Sequence, residues 1–246
     1  MLKENFPIPA PMFNGASRHV DVGNAFDWLR QGWAIFIVNP GVWMAITVIL
    51  IVILFGLAIV PWFGQLAVYL LTPLLIAGML LGCRKVERDE ALEISDLFAG
   101  FQSNTAGLLM LGVLYMLAML GVFLLLILFV GGGVAGMMMG NPVAVGIAFG
   151  GFLLGTLLSL LLCVPIVMAI WFAPALVVFN KLQPVDALKA SFHACLKNTP
   201  VFLVYGLISL VLCFFAALPV GLGFLVLGPV LAGSVYASYR DIFIAA

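Results

Sequence analysis

The side chains able to do chemistry are few and poorly placed for it. His19 and His193 both fall in polar segments, so they cannot face each other across helices to hold a haem. His193 follows Ser191 by two residues, a spacing that turns the two side chains apart on a helix. Neither Ser103 nor Ser191 has a His/Asp set near it, and no HExxH, GxSxG, P-loop or CxxC pattern occurs. The run Met137-Met138-Met139 offers thioethers, which suit a soft ion such as Cu(I). Successive helical residues point in different directions, however, and no Cys or His accompanies the run, so packing is its expected role. Cys83 and Cys195 lie at the edges of apolar stretches and Cys163 and Cys213 within them. All four are expected to act as small apolar residues and not as a disulfide framework. No enzyme activity, metal or cofactor is expected.

The elements that would have to position such groups follow from composition. Of 246 residues, 65% are hydrophobic and 8% charged, with ten Lys+Arg balancing ten Asp+Glu. Mean hydropathy is +1.28, whereas a soluble domain is about half apolar and roughly a quarter charged. The chain is therefore a polytopic membrane protein. A formal net charge of zero removes the basic face that nucleic acid requires. All charges fall within 3–30, 84–96, 181–197 and 240–241, leaving 31–83, 97–180 and 198–239 uncharged. Crossing roughly 30 Å of hydrocarbon takes about 20 apolar residues. The first stretch fits spans near 41–60 and 65–83, and the last fits spans near 201–217 and 221–239. The middle one fits two spans near 106–130 and 149–176 with a Gly-rich break between them. An odd number there would carry the Lys181–Lys197 cluster to the opposite face, against the positive-inside rule. Since no carboxylate or basic residue falls inside a span, a proton relay is not expected.

The expected fold is an all-α transmembrane six-helix bundle with both termini in the cytoplasm. Residues 1–23, with Pro7, Pro9 and Pro11, form a flexible cytoplasmic arm and not a signal peptide, because apolar sequence begins only near Trp33. Residues 24–246 form one membrane domain of three tandem units, 24–90, 91–181 and 182–241. Each unit opens with a short amphipathic segment ending in Asn. Phe26, Leu29, Trp33 and Phe36 share a helical face in 25–39; Ile94, Leu97, Phe98 and Phe101 do so in 92–104; Val185, Leu188, Phe192 and Leu196 do so in 185–198. A hairpin of spans follows, its second span carrying a proline at Pro73, Pro165 or Pro229, where a kink is expected. The units run parallel, not inverted, which counts against the inverted-repeat transporter plan.

The middle unit is longer. Its start-to-proline distance, Ala106 to Pro165, exceeds the other two by about 26–30 residues, which places an insert around 122–150. Within the insert Gly132, Gly136 and Gly140 recur every fourth residue, the spacing of a ridge against which another helix or another copy could pack. Three consecutive glycines at 131–133 favour a turn instead. Arg84, Lys85 and Arg88 can meet lipid headgroups at a span's end. Trp28, Trp33, Trp43, Trp62 and Trp171 are expected to anchor at the membrane interface.

The phrases Trp28-Leu29 with Gly32-Trp33 and Asn39-Pro40, Trp171-Phe172-Ala173-Pro174-Ala175-Leu176, and Ala187-Leu188 with Ser191-Phe192 and Ala194-Cys195, followed by Phe202-Leu203-Val204-Tyr205-Gly206, resemble an uncharacterised family of proteobacterial polytopic inner-membrane proteins. The resemblance runs from about Ala25 to Arg240; the Gly/Met-rich part of the insert stands outside it. More distantly, the chain is similar to the membrane domains found beside glycerophosphodiester phosphodiesterases. The resemblance implies six spans and a bacterial inner-membrane location, and no hydrolysis, because the catalytic domain has no counterpart here. The expected role is that of a non-enzymatic accessory protein whose partners are membrane lipids, another inner-membrane protein or itself. A permease, flippase or small pore for neutral or lipid-like molecules is the alternative, with Gly221, Gly223 and Gly228 as backbone that could unwind to line a path.

Overall fold

The computed structural model describes residues 15–61, 63–138 and 142–244, without the side chains of 132, 133, 135–137, 142 and 144. Everything regular in it is helical. In chain order come α1 (Asn24–Val38), α2 (Pro40–Ala58), α3 (Phe63–Glu87), a 3-10 helix (Ile94–Phe101), α4 (Thr105–Met138) and α5 (Pro142–Trp171). After them follow α6 (Ala173–Phe179), α7 (Pro184–Lys197), α8 (Thr199–Ala217) and α9 (Phe224–Phe243).

Proline sets several of the starts. Pro40, Pro184 and Pro200 sit in the first turns of α2, α7 and α8, where their missing N–H costs nothing. Asn39, immediately before Pro40, is driven out of the helical region to φ −147°, so α1 must end there. The 3-10 helix begins with a reciprocal cap: the Glu93 N–H donates to Asp96 Oδ2 at 2.8 Å, and the Asp96 N–H donates back to the Glu93 carboxylate.

Five stretches among the described residues are long and apolar enough to cross a membrane: Pro40–Ala58, Phe63–Glu87, Thr105–Gly131, Val145–Phe179 and Thr199–Ala217. The segment expected as a sixth span is a helix, α9, but a less apolar one. Its second half carries Ser234, Tyr236, Ser238, Tyr239, Arg240 and Asp241, and much of it is buried against α1, α2, α3 and α8.

Over its described residues the insert is helical. Gly131, Gly132 and Gly133 continue α4, and α5 has already begun at Pro142. Without water to compete for backbone groups, an apolar segment keeps its helix through glycines that would end one in a soluble protein. Gly132 and Gly136 therefore lie in the last turns of α4, whereas Met139 and Gly140 lie outside the described residues. At 34 and 30 residues, α4 and α5 are about 51 and 45 Å long, well beyond roughly 30 Å of hydrocarbon.

Buried residues gather at the charged end: Trp28, Leu74 to Val86, Leu97, Phe172 to Val178, Ala187 to Cys195, and Val230 to Phe243. Toward the other end the helices expose Leu, Ile, Val and Phe on all sides, as on Leu124, Leu157 and Leu210. The short helices hold the core together. The 3-10 helix packs on α3, α7 on α5, and α1 on α9. Small residues allow each approach. Gly32 and Gly233 place the α1 and α9 backbones in contact, so that a Cβ at Gly233 would stand 2.8 Å from Gly32 Cα. A Cβ at Gly78 would overlap the Leu97 carbonyl, and one at Gly100 the Leu74 carbonyl.

Candidate functional site at the charged end

Three carboxylates organise this end, each beside the terminus of a long helix. Asp241, near the end of α9, accepts from Asn24 Nδ2 at 2.7 Å and from the Trp28 indole N–H at 2.8 Å, both on α1, and pairs with Arg18. Burial alone would push its carboxyl up, but the hydrogen bonds from Asn24, Trp28 and Arg18 outweigh that and hold it below the ordinary aspartate value. Glu87, the last residue of α3, pairs with Arg240 and accepts from the Tyr236 hydroxyl at 2.5 Å, joining α3 to α9. Asp96 on the 3-10 helix pairs with Lys85 on α3 at 2.7 Å.

Within the segment expected as an N-terminal arm, Ser17, Arg18 and Val20 are hydrogen-bonded to α7, α8 and α9. The Arg18 N–H donates to the Ile242 carbonyl at 3.0 Å. Asn198, fully buried between α7 and α8, accepts from the Val20 N–H at 2.9 Å and donates to the Arg18 carbonyl at 3.0 Å. Lys197 Nζ donates to the Ser17 carbonyl at 2.6 Å. These polar side chains satisfy irregular backbone that water would otherwise solvate. Residues 1–14 lie outside the described residues.

The basic residues singled out for headgroup contact differ in their surroundings. Lys85 is engaged by Asp96, and the Arg84 guanidinium lies over the Phe179 ring, 4.7 Å from its centroid; Arg88 is exposed. The prolines at 73, 165 and 229 lie inside α3, α5 and α9, which run on past them. Proline 73 frees the Tyr69 carbonyl, and α4 comes up against it at Gly112, whose Cβ would be 3.0 Å from that oxygen.

The helix break after Trp171 has another cause. Ser191 Oγ accepts from the Phe172 N–H at 3.0 Å and donates to the Met168 carbonyl at 2.7 Å. Those two backbone groups would pair directly in an unbroken helix, so the hydroxyl is inserted into the ladder. The residue that looked like a stray nucleophile is a structural bridge. Beside it Cys195 is buried, which pushes its thiol up to about 12 and leaves it inert, and all four cysteines are free thiols.

Two tryptophans expected at the membrane interface belong to the core. Trp28 and Trp43 are 1% and 0% exposed, and Trp43 donates to the Ile35 carbonyl at 3.2 Å. Trp28 and Trp171 flank Phe202 and Tyr205 in one aromatic cluster. Trp33 does face outward, half exposed, and Trp62 lies outside the described residues.

Sequence reasoning missed the glycines that matter most for packing. Besides the pairs 32/233 and 78/100, Gly151 and Gly155 seat Phe129 of α4 against α5. Their four-residue spacing was a signal available beforehand. Of the glycines offered as unwound backbone, Gly221 and Gly223 lie in the turn between α8 and α9 and Gly228 does not leave the helix. Gly223 is pressed against Ala216, and Gly221 shapes the turn with φ +81°.

These groups surround an open cleft of 820 Å³ between α1 and α9, lined by Asp27, Arg30, Gln31, Arg240 and Asp241 among others. Of its charged lining, Asp241 pairs with Arg18 and Arg240 with Glu87, both outside the cleft, while Asp27 and Arg30 form no ion pair among the described residues. The chain is 31% identical over 226 residues to a probable inner membrane protein of Burkholderia thailandensis, a match covering 89% of this chain and 82% of that protein. No family model and no solved structure matches the chain.

Proposed function

From the premise that the chain belongs to the family of this probable inner membrane protein, and so is a multi-pass inner-membrane protein, we propose that it is a non-enzymatic accessory protein acting through contacts with lipid or another membrane protein. One observation carries this. The short helices at the charged end bury small residues, together with Trp28, Phe36 and Leu97, and still leave large apolar side chains on their outer faces. Ala25 and Gly32, Gly100, and Ala187 and Ala194 are buried, while Phe26, Trp33, Phe98, Phe101, Val185 and Leu196 are exposed. Such faces suit lipid at the interfacial level or the flank of a neighbouring protein.

The same proposal includes six spans with α9 as the sixth, both termini in the cytoplasm, and three tandem units. Supporting the units is a cyclic contact pattern, in which each short helix rests on the second long helix of the unit before it and α1 rests on α9. The distant likeness to phosphodiesterase-associated membrane domains carries no part of the proposal.

Native mass spectrometry of the protein released gently from its own membrane tests the role. A stoichiometric protein partner or specific bound lipid is expected. The permease, flippase or pore reading would instead require substrate-dependent flux in proteoliposomes, and such flux would overturn the accessory role.

A further inference from the structure

Next to the charged cleft, an apolar groove of 460 Å³ opens between α1, α8 and α9, with Trp33, Leu212, Ala216, Val226 and Val230 on its walls. Arg30 lines both the groove and the cleft, and is the one charged residue among the described ones lining the groove. Its state differs from that of its neighbours. Arg18, Lys85 and Arg240 each close on a carboxylate; Arg30 is exposed and forms no ion pair among the described residues. At the far end the groove is shut where the Gly223 N–H donates to the Ala216 carbonyl at 3.2 Å. At the near end α1 closes it, because Gly32 sits directly on the Val230 carbonyl.

We propose that this groove holds one acyl chain of an anionic phospholipid, with the lipid phosphate on Arg30. From Val230 to Gly223 is about 10 Å of helix, which takes about two-thirds of a chain that crosses the roughly 15 Å of half the hydrocarbon layer. A guanidinium presents paired donors that match a phosphate, and nothing else charged lines the slot to repel or replace it. Trp33, half exposed, lines the groove beside Arg30, and an indole suits the boundary between acyl chain and headgroup. The proposal rests on the lipid-contact half of the function proposed above and names its ligand class.

The test uses the full chain in detergent, offered phosphatidylglycerol or phosphatidylcholine with identical acyl chains, with bound lipid counted by native mass spectrometry. The wild type is expected to retain one phosphatidylglycerol in preference to phosphatidylcholine. Arg30→Gln should weaken that preference about fivefold, the worth of one basic residue at an anionic surface, with no change in thermal unfolding. Leu212→Trp, which fills the slot from a partly exposed wall, should remove the adduct of either lipid. Equal retention of both lipids by the wild type, or an undiminished preference in Arg30→Gln, would overturn the site. A protein partner found in the spectrum of all three chains alongside that result would leave the accessory role standing, so the two failures are distinguishable.

Discussion

At the scale of single residues, the polar side chains at the charged end serve backbone and neighbouring helices. Ser191 bridges a helix break, Asn198 clamps an irregular strap, and Asp241 gathers donors from the strap and from α1. Asp241→Asn removes the charge on which Arg18 closes. Residues 15–20 should then loosen, and trypsin should cut after Arg18 faster than in the wild type. Equal resistance would assign the hold to Asn198 and Lys197 instead. The pH dependence has a definite sign. Because the folded carboxyl titrates below its unfolded value, its contribution is full above the ordinary aspartate range, about 3.9, and is lost as pH falls through the lowered folded value. Hydrogen exchange at Val20 should accordingly show no loss of protection between neutral pH and 5. The sequence could mark these residues as polar, but not name their partners, because Arg18 and Asp241 are separated by nearly the whole chain.

At the scale of elements, helix crossings depend on glycines whose importance cannot be judged from type alone. Gly32→Ala would drive a methyl into the Val230 carbonyl, whereas at Gly206, midway along α8, a Cβ would meet nothing within 4 Å. The first substitution should destabilise by about 1–3 kcal/mol, as overpacking does. The second should be neutral or stabilising by up to about 1 kcal/mol, since it removes a flexible residue from a helix interior. Thermal unfolding of both variants in one detergent separates the cases; a Gly32→Ala chain as stable as Gly206→Ala would mean that α1 and α9 do not cross at Gly32. Helix positions themselves were legible. The segments expected at 25–39, 92–104 and 185–198 correspond to α1, the 3-10 helix and α7, because apolar spacing and Asn/Pro boundaries are local signals. The turn favoured at Gly131–Gly133 is instead helix, since glycine breaks helices in water far more readily than in hydrocarbon.

At the scale of the whole molecule, an all-helical multi-pass architecture follows from uncharged stretches separated by charge clusters, and the proposed arrangement of termini can be measured. Reporter fusions after Arg88, Lys197 and Arg240 should all report cytoplasm, and one near Gly140 should report periplasm. A periplasmic report at Lys197 would overturn the assignment of α4 and α5 as two crossings. A cytoplasmic report near Gly140 would overturn it equally. The sequence by itself determined the membrane class, the positions of most helices and the lack of ionisable groups within the apolar stretches, because each depends on burial in lipid or on contacts a few residues apart. Only the tertiary structure decided that Trp28 and Trp43 are core residues, that Gly32 meets Gly233 and Gly78 meets Leu97, that Lys85 is engaged and Arg30 is not, and that a groove lies beneath Arg30. In a chain this uniformly apolar every helix could face lipid on any side. Which faces meet protein is settled by small residues and carboxylates brought together from distant parts of the chain.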